Sequence, residues 1–234
     1  MSELSINSSR IGLIADRLES KFGKPERKRS GKFLNSLILT VLSQNTNDRN
    51  RDVAYERLRR KFPDWQEVKD ASLEEIKEAI RPAGLSNQKS KHIKELLEWI
   101  DKTYRTFDLD FLCDDKADEV IDTFMQRRGI GIKTISVVLA FACGKDIFPV
   151  DTHVHRICRR LGLVPENASA ERTHLSMQPL VPKGRALSLH INMLSLGRTL
   201  CKARNPNCPS CPLNDLCPSA ALEKNNTYSA HETR

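Results

Sequence analysis

"RRGIGIKTISVVLAF", residues 127–141, is the stretch on which the reading of the whole chain turns. After Lys133 it is almost wholly apolar, the composition of a buried helix, and Gly129 and Gly131 stand directly before it. Glycine lets the backbone take positive φ and approach a ligand with no Cβ in the way. The N–H groups of such a turn, and of the helix N-terminus behind it, make an anion site suited to phosphate. A plain tight turn between two helices has the same pattern, so the glycines alone do not choose. Lys133 falls in the first turn of the helix. There the positive end of the macrodipole and the apolar surroundings both disfavour an ammonium. Both effects lower a lysine pKa, as an amine nucleophile requires. A surface lysine at a helix start is the plainer alternative.

The next segment, "FPVDTHVHR" at 148–156, adds a carboxylate. Asp151 comes 18 residues after Lys133, beyond one buried helix and an extended return. A helix of about eleven residues is roughly 16 Å long, and a few extended residues recover most of that distance. Asp151 can therefore come back toward Lys133, with both residues at helix N-termini. A Lys/Asp pair beside a phosphate-binding turn points to chemistry on a nucleic-acid sugar, although Asp151 also suits a simple N-cap. His153 and His155, two apart on a helix, face different ways, which argues for structural or DNA-facing roles over metal ligation.

The rest of the composition narrows the class. The chain has 234 residues, 29% of them charged and 39% hydrophobic, with a formal net charge of +8 and a pI near 9.2. The basic excess points to a polyanion, nucleic acid before anionic membrane. No apolar run reaches the roughly 18–20 residues of a membrane span, and "MSELSINSSR" has no signal core. The seven cysteines are therefore read in a reducing compartment, where metal binding outranks disulfides. Cys113, Cys143 and Cys158 are scattered and read as buried free thiols. The other four follow the spacing Cys201-x6-Cys208-x2-Cys211-x5-Cys217. Four thiols so close form a closed metal-ligand set, and the ligand count admits either zinc or a 4Fe–4S cluster. Between the first two, Lys202 and Arg204 make the loop a candidate phosphate clamp.

Nearly every periodic segment has helical spacing. Ile11, Leu13, Ile14, Leu18 and Phe22 form one apolar stripe, closed by Gly23 and Pro25. "KPERKRSGK" at 24–32 reads as a basic connector. Further helices are expected at 34–42, 52–62, from the Ser72/Glu75 capping box to Pro82, around Ile93–Ile100, at 116–125, after Gly131 to Gly144, from Asp151 to Leu161, near 169–178 and near 184–200. No strand alternation or solenoid repeat is visible, so the class is all-α. The polar residues after Cys217 read as a flexible tail, 218–234.

Taken together, "RGIGIKT" (128–134), "FPVDTHVHR" (148–156) and "CKARNPNCPSC" with Cys217 resemble the endonuclease III family of helix-hairpin-helix DNA glycosylases, over roughly residues 10–217. The resemblance implies two helical domains flanking a DNA-binding cleft. A six-helix domain at 25–145 carries the helix-hairpin-helix. A discontinuous one, 1–24 with 146–217, carries a 4Fe–4S cluster on Cys201, Cys208, Cys211 and Cys217. It implies Lys133 as the Schiff-base lysine and Asp151 as the catalytic aspartate of a bifunctional glycosylase and AP lyase for oxidised pyrimidines. Gln44 falls where the family fills the space left by the extruded base, and Leu85 where it wedges the opposite strand. Arg128, Gly129, Gly131, Lys202 and Arg204 are the remaining expected DNA contacts. The partner is double-stranded DNA carrying a damaged base or abasic site. The protein is expected to be a monomer without membrane attachment, in a prokaryotic cytoplasm at the nucleoid. Two departures stand out: the hairpin opens with Arg127-Arg128-Gly129 instead of Leu-Pro-Gly, and the Gln44 loop reads "SQNTND" instead of "SAQATD". A thymine or uracil mismatch glycosylase is the nearest competing reading. A non-catalytic, metal-stapled DNA-binding protein is the competitor from another class, and it would have no use for the Lys/Asp pair.

Overall fold

The structure, a computed structural model, describes residues 3–25 and 32–221. Most of the basic connector at 24–32 therefore lies outside the described residues. Eleven α-helices are present among the described residues, with no strand. They are α1 Glu3–Phe22, α2 Phe33–Leu42, α3 Asp48–Lys61, α4 Trp65–Asp70, α5 Leu73–Ile80, α6 Ser86–Tyr104, α7 Ala117–Met125, α8 Ile132–Phe141, α9 Thr152–Arg160, α10 Ala170–Met177 and α11 Ala186–Thr199. The chain divides into two compact units, residues 28–145 and a discontinuous one of 1–27 with 146–234.

In the continuous unit, α2 packs on α8, α3 and α6, α5 on α6 and α3, and α7 on α8. Each contributes one apolar face: Leu34, Leu37, Ile38 and Val41 from α2, Ile93, Leu97 and Ile100 from α6, Ile135, Val138 and Leu139 from α8. Local signals set the ends. Asn47 caps α3 by accepting from the Asn50 N–H, which starts that helix a turn earlier than its apolar pattern does. Ser72 and Glu75 form the expected capping box on α5. After α8, Gly144 takes φ +65 and the Lys145 N–H returns to the Leu139 carbonyl at 2.9 Å, closing the helix. Among its described residues the unit holds seven α-helices, and the resemblance implied six. The short α4 is capped by Asp64. It is anchored by Trp65, which is buried and donates its indole N–H to Asn35 Oδ1 at 3.0 Å. Six residues are too few to show a helical period.

One cysteine reading is corrected here. Cys113 and Cys143 are not free thiols but a disulfide, with Cα atoms 4.9 Å apart. The cause is topological. Cys113 ends the 3-10 turn before α7 and Cys143 follows α8. These two packed helices have nearly equal length, nine and ten residues, so the segments flanking their outer ends meet. Cys158 is free and fully buried as expected, and burial pushes its thiol up to about 12.

In the discontinuous unit, α1 and α9 pack on α11, and α10 packs on α9. Ile11, Ile14 and Leu18 of α1 share a core with Val154, Ile157, Leu189, Met193 and Leu196. Leu13, expected on the same stripe, is 41% exposed. Arg185 ties the α11 end back to α1 through Asp16 at 2.6 Å and Glu19 at 2.7 Å. The tail expected from residue 218 instead begins as a helical turn over 218–221, held by buried Ala220; residues 222–234 lie outside the described ones.

Candidate functional site

The continuous unit presents a helix-hairpin-helix built by α7, the turn 126–131 and α8. Gly129 takes φ +78, a left-handed conformation that favours glycine. A Cβ there would also sit 2.3 Å from His92 Nδ1, so the imidazole of α6 fills the space beneath it. Gly131 is different. It is exposed, extended at φ −98, and nothing lies within 4 Å of where its Cβ would stand. Packing within the chain does not demand glycine at 131, so the open face it leaves is free for close approach of a ligand backbone. Gly131 is the N-cap of α8 without a capping side chain. Of the first N–H groups, that of Thr134 bonds back to the Gly131 carbonyl at 2.9 Å. The helix start therefore offers the anion-binding end expected from the sequence. Lys133 is the second residue of α8 and is half-buried.

Three side chains support the hairpin from below. Gln44 donates its carboxamide N–H to the Gly129 carbonyl at 2.8 Å and to Thr134 Oγ1 at 3.3 Å. His92 packs under Gly129. The guanidinium of Arg127 lies 4.8 Å over the Trp99 ring, which itself rests edge-on against Phe124. Arg127 is thereby part of the support and Arg128 is the exposed arginine of the pair. Gln44, the expected DNA contact, is half-buried with its amide bonded to the hairpin. Asn45, exposed and in the left-handed region at φ 52, stands at the tip of the same loop. Leu85 is also left-handed, φ 49, at the N-cap of α6, and it is 52% exposed. A large apolar residue held exposed in that strained conformation is a signature of function more than of packing.

Asp151 lies in the discontinuous unit, as the N-cap of α9, its carboxylate accepting from the Val154 N–H at 2.8 Å. The extended segment before it is held on both sides. Gln178 Oε1 accepts from the Phe148 N–H at 2.8 Å, and the His190 ring meets the Pro149 carbonyl at 2.9 Å. Neither Gln178 nor His190 stands out in the sequence. The ring of each histidine beyond Asp151 has a partner: Nδ1 of His153 meets Arg156 at 3.1 Å and that of His155 meets Thr173 at 2.9 Å.

The four C-terminal cysteines lie on one loop after α11, with Cys201, Cys211 and Cys217 packed against the unit's core. Arg160 on α9 donates to Cys201 Sγ at 3.2 Å and to the Lys202 and Ala203 carbonyls at 2.7 and 3.1 Å. Arg156 holds the Cys201 carbonyl at 2.8 Å. Burial, and then the neighbouring Cys201 and Cys217, raise the Cys211 thiol. The four thiols are soft donors on one short loop, three of them packed against the core, a donor set that fits a 4Fe–4S cluster. Lys202 and Arg204 are exposed on this loop.

Comparison with known proteins agrees with this anatomy. Residues 38–183 match the model of the HhH-GPD superfamily base excision DNA repair proteins. Residues 201–217 match the iron–sulfur binding domain of endonuclease III. Endonuclease III of Sulfolobus acidocaldarius is 32% identical over 188 residues, covering 78% of this chain and 80% of that protein. Endonuclease III homolog 2, chloroplastic, of Arabidopsis thaliana is 30% identical over 227 residues, 90% of this chain and 56% of that one. Several curated relatives are longer than this chain, which spans from 9% to 62% of their length. The solved structure of a trapped endonuclease III–DNA covalent intermediate superposes with a TM-score of 0.80 at 28% identity, covering 93% of this chain and 98% of that one. With its glycine hairpin, its buried helix headed by Lys133 and its four-cysteine loop, the chain belongs to the HhH-GPD superfamily of base excision DNA repair proteins and carries the endonuclease III type of iron–sulfur domain.

Proposed function

We propose that the protein is a bifunctional DNA glycosylase and AP lyase acting as a monomer on oxidised pyrimidines in duplex DNA, at the nucleoid of a prokaryotic cell. The observation that carries the activity is Lys133, an amine in the first turn of a buried helix directly behind the open Gly131 backbone. The relatives' names, and a neighbour trapped covalently on DNA, support it.

The steps follow from the side chains. The hairpin N–H groups and Arg128 hold phosphate, with Lys202 and Arg204 as further cations on the backbone. The damaged nucleotide is extruded, with the loop at 43–47 entering on one strand and Leu85 wedging the other. In that loop Gln44, which also links it to the hairpin, and exposed Asn45 are the side chains offered to DNA. The neutral Lys133 amine attacks C1′ of the sugar and expels the base, and Asp151 stabilises the cationic sugar. The C1′–O4′ bond then opens, the ring oxygen taking the proton the nitrogen gives up, and the imine so formed acidifies the C2′ proton; its removal breaks the C3′–O3′ bond and the 3′ phosphate leaves. The 4Fe–4S cluster, bound by Cys201, Cys208, Cys211 and Cys217, staples the loop that bears Lys202 and Arg204.

Sodium borohydride reduces a lysine imine to a stable amine, so wild-type protein should be trapped covalently on abasic-site DNA and Lys133→Ala should not. Wild type that binds this DNA but never traps would overturn the lyase reading. The mismatch-glycosylase alternative then predicts thymine or uracil release without strand cleavage.

A further inference from the structure

Lys89 is the most deeply buried cation among the described residues outside the proposed chemistry, with 2% of its surface exposed. Its ammonium donates to two backbone carbonyls, Leu42 and Ala83, each at 2.8 Å. Both are orphan acceptors at element ends. Leu42 closes α2 and Ala83 closes the 3-10 turn 81–83. The residues that follow them are the point of interest. After Leu42 comes the loop with Gln44 and Asn45, and after Ala83 come Gly84 and Leu85, both at positive φ. One charged group thus fixes the roots of both segments proposed to enter the duplex, although those roots are 41 residues apart in sequence.

The placement is costly if it serves stability alone. Lys89 lies in the first turns of α6, where the macrodipole opposes a cation. Among the described residues no carboxylate pairs with it, and burial lowers its pKa from the ordinary lysine range. An apolar side chain of similar length would fill the same space without desolvating a charge. What an ammonium adds is three donors on one atom, able to hold two carbonyls from different segments at a fixed separation.

We propose that Lys89 is a positioning residue for base extrusion: it couples the 43–47 loop to the Leu85 turn so that both enter the duplex as one rigid device. This rests on the proposed roles of those two segments. When the two are uncoupled, the enzyme can still bind DNA and still cut a site already lacking its base. Opening an intact pair is what suffers, because both strands must be displaced together.

The test uses the full chain with its cluster and the variants Lys89→Met and Lys89→Arg. Helicity and cluster absorbance check folding. The first readout is the fluorescence of 2-aminopurine placed beside an intact pair that holds a 2′-fluorinated, non-excisable oxidised pyrimidine, which reports strand opening without any chemistry. The second compares excision of an oxidised pyrimidine with cleavage of a preformed abasic site in the same duplex. Lys89→Met should lower the fluorescence gain at saturating protein and slow base excision about tenfold, with abasic-site cleavage changed by no more than about threefold. Lys89→Arg, which keeps charge and multiple donors, should recover much of the loss. Equal falls in both reactions, no fall in a folded Met variant, no opening by wild type, or failure of both variants to fold would each overturn the proposal. Wild type that opens the duplex but never excises would count against the glycosylase reading alone, and the fluorescence comparison would still decide on Lys89.

Discussion

At the scale of single residues, the clearest trade between stability and function is at Leu85. Its left-handed backbone and 52% exposure suggest that it is kept for what it touches in DNA, not for the fold. Leu85→Gly should raise stability by roughly 0.5–1 kcal/mol, since relief of the left-handed conformation outweighs glycine's added chain entropy. The same change should slow excision from duplex DNA. Thermal unfolding and single-turnover kinetics measure the two effects, and a variant both less stable and fully active would contradict this account. Some side chains here were legible in sequence and others were not. Lys133, Gly129 and Gly131 announced themselves because glycine before an apolar run has a local meaning. The bond from the Gln44 amide to the Gly129 carbonyl, 85 residues away, has no local signal in the sequence. Arg127, unexplained by sequence, stacks on Trp99 of a distant helix. Lys89 did leave a signal: it occupies the apolar stripe of α6, four residues before Ile93 and eleven before Ile100. A lysine at such a position is a buried cation awaiting acceptors.

At the scale of elements, helix existence was readable nearly everywhere, because amphipathic periods and caps are local. Boundaries drifted where a side-chain cap overrides the apolar pattern, as Asn47 does for α3. The short α4 was not readable, and neither was the pairing of Cys113 with Cys143, which depends on how α7 and α8 pack. That disulfide encloses the whole hairpin. Closing a loop of 30 residues removes chain entropy worth about 3–4 kcal/mol in the loop-closure treatment. Denaturing the protein with a chelator and alkylating without reductant should leave Cys113 and Cys143 unlabelled and modify the five other cysteines. Peptide mass spectrometry reads the outcome, and seven labelled cysteines would refute the bridge. Reduction beforehand should lower the unfolding temperature of the unit that contains α8.

At the scale of the molecule, charge and titration set the conditions for function. Exposed Lys202 and Arg204 should each contribute to the salt dependence of DNA binding, so replacing either by alanine should reduce the log–log slope by about one. A slope that stays the same would remove the clamp role. The discontinuous unit should also be the acid-sensitive one. Burial lowers His174, and burial followed by Arg159 lowers His155, both from the ordinary value of 6.5. The unfolded chain then binds more protons than the folded one below that value, so stability is present at neutral pH and is lost as pH falls below about 6.5. Unfolding followed by cluster absorbance between pH 7.5 and 5.5 measures this, and a flat profile would contradict it. The same unit imposes an order on synthesis. Residues 28–145 form a unit by themselves, but Ile11, Ile14 and Leu18 of α1 share their core with α11. The 177 residues from Gly23 to Thr199 must be translated first, about 9–35 s at ribosomal rates of about 5–20 residues per second. For that interval the amphipathic α1 has no partner to bury its apolar face, which makes it a natural client for a ribosome-bound chaperone.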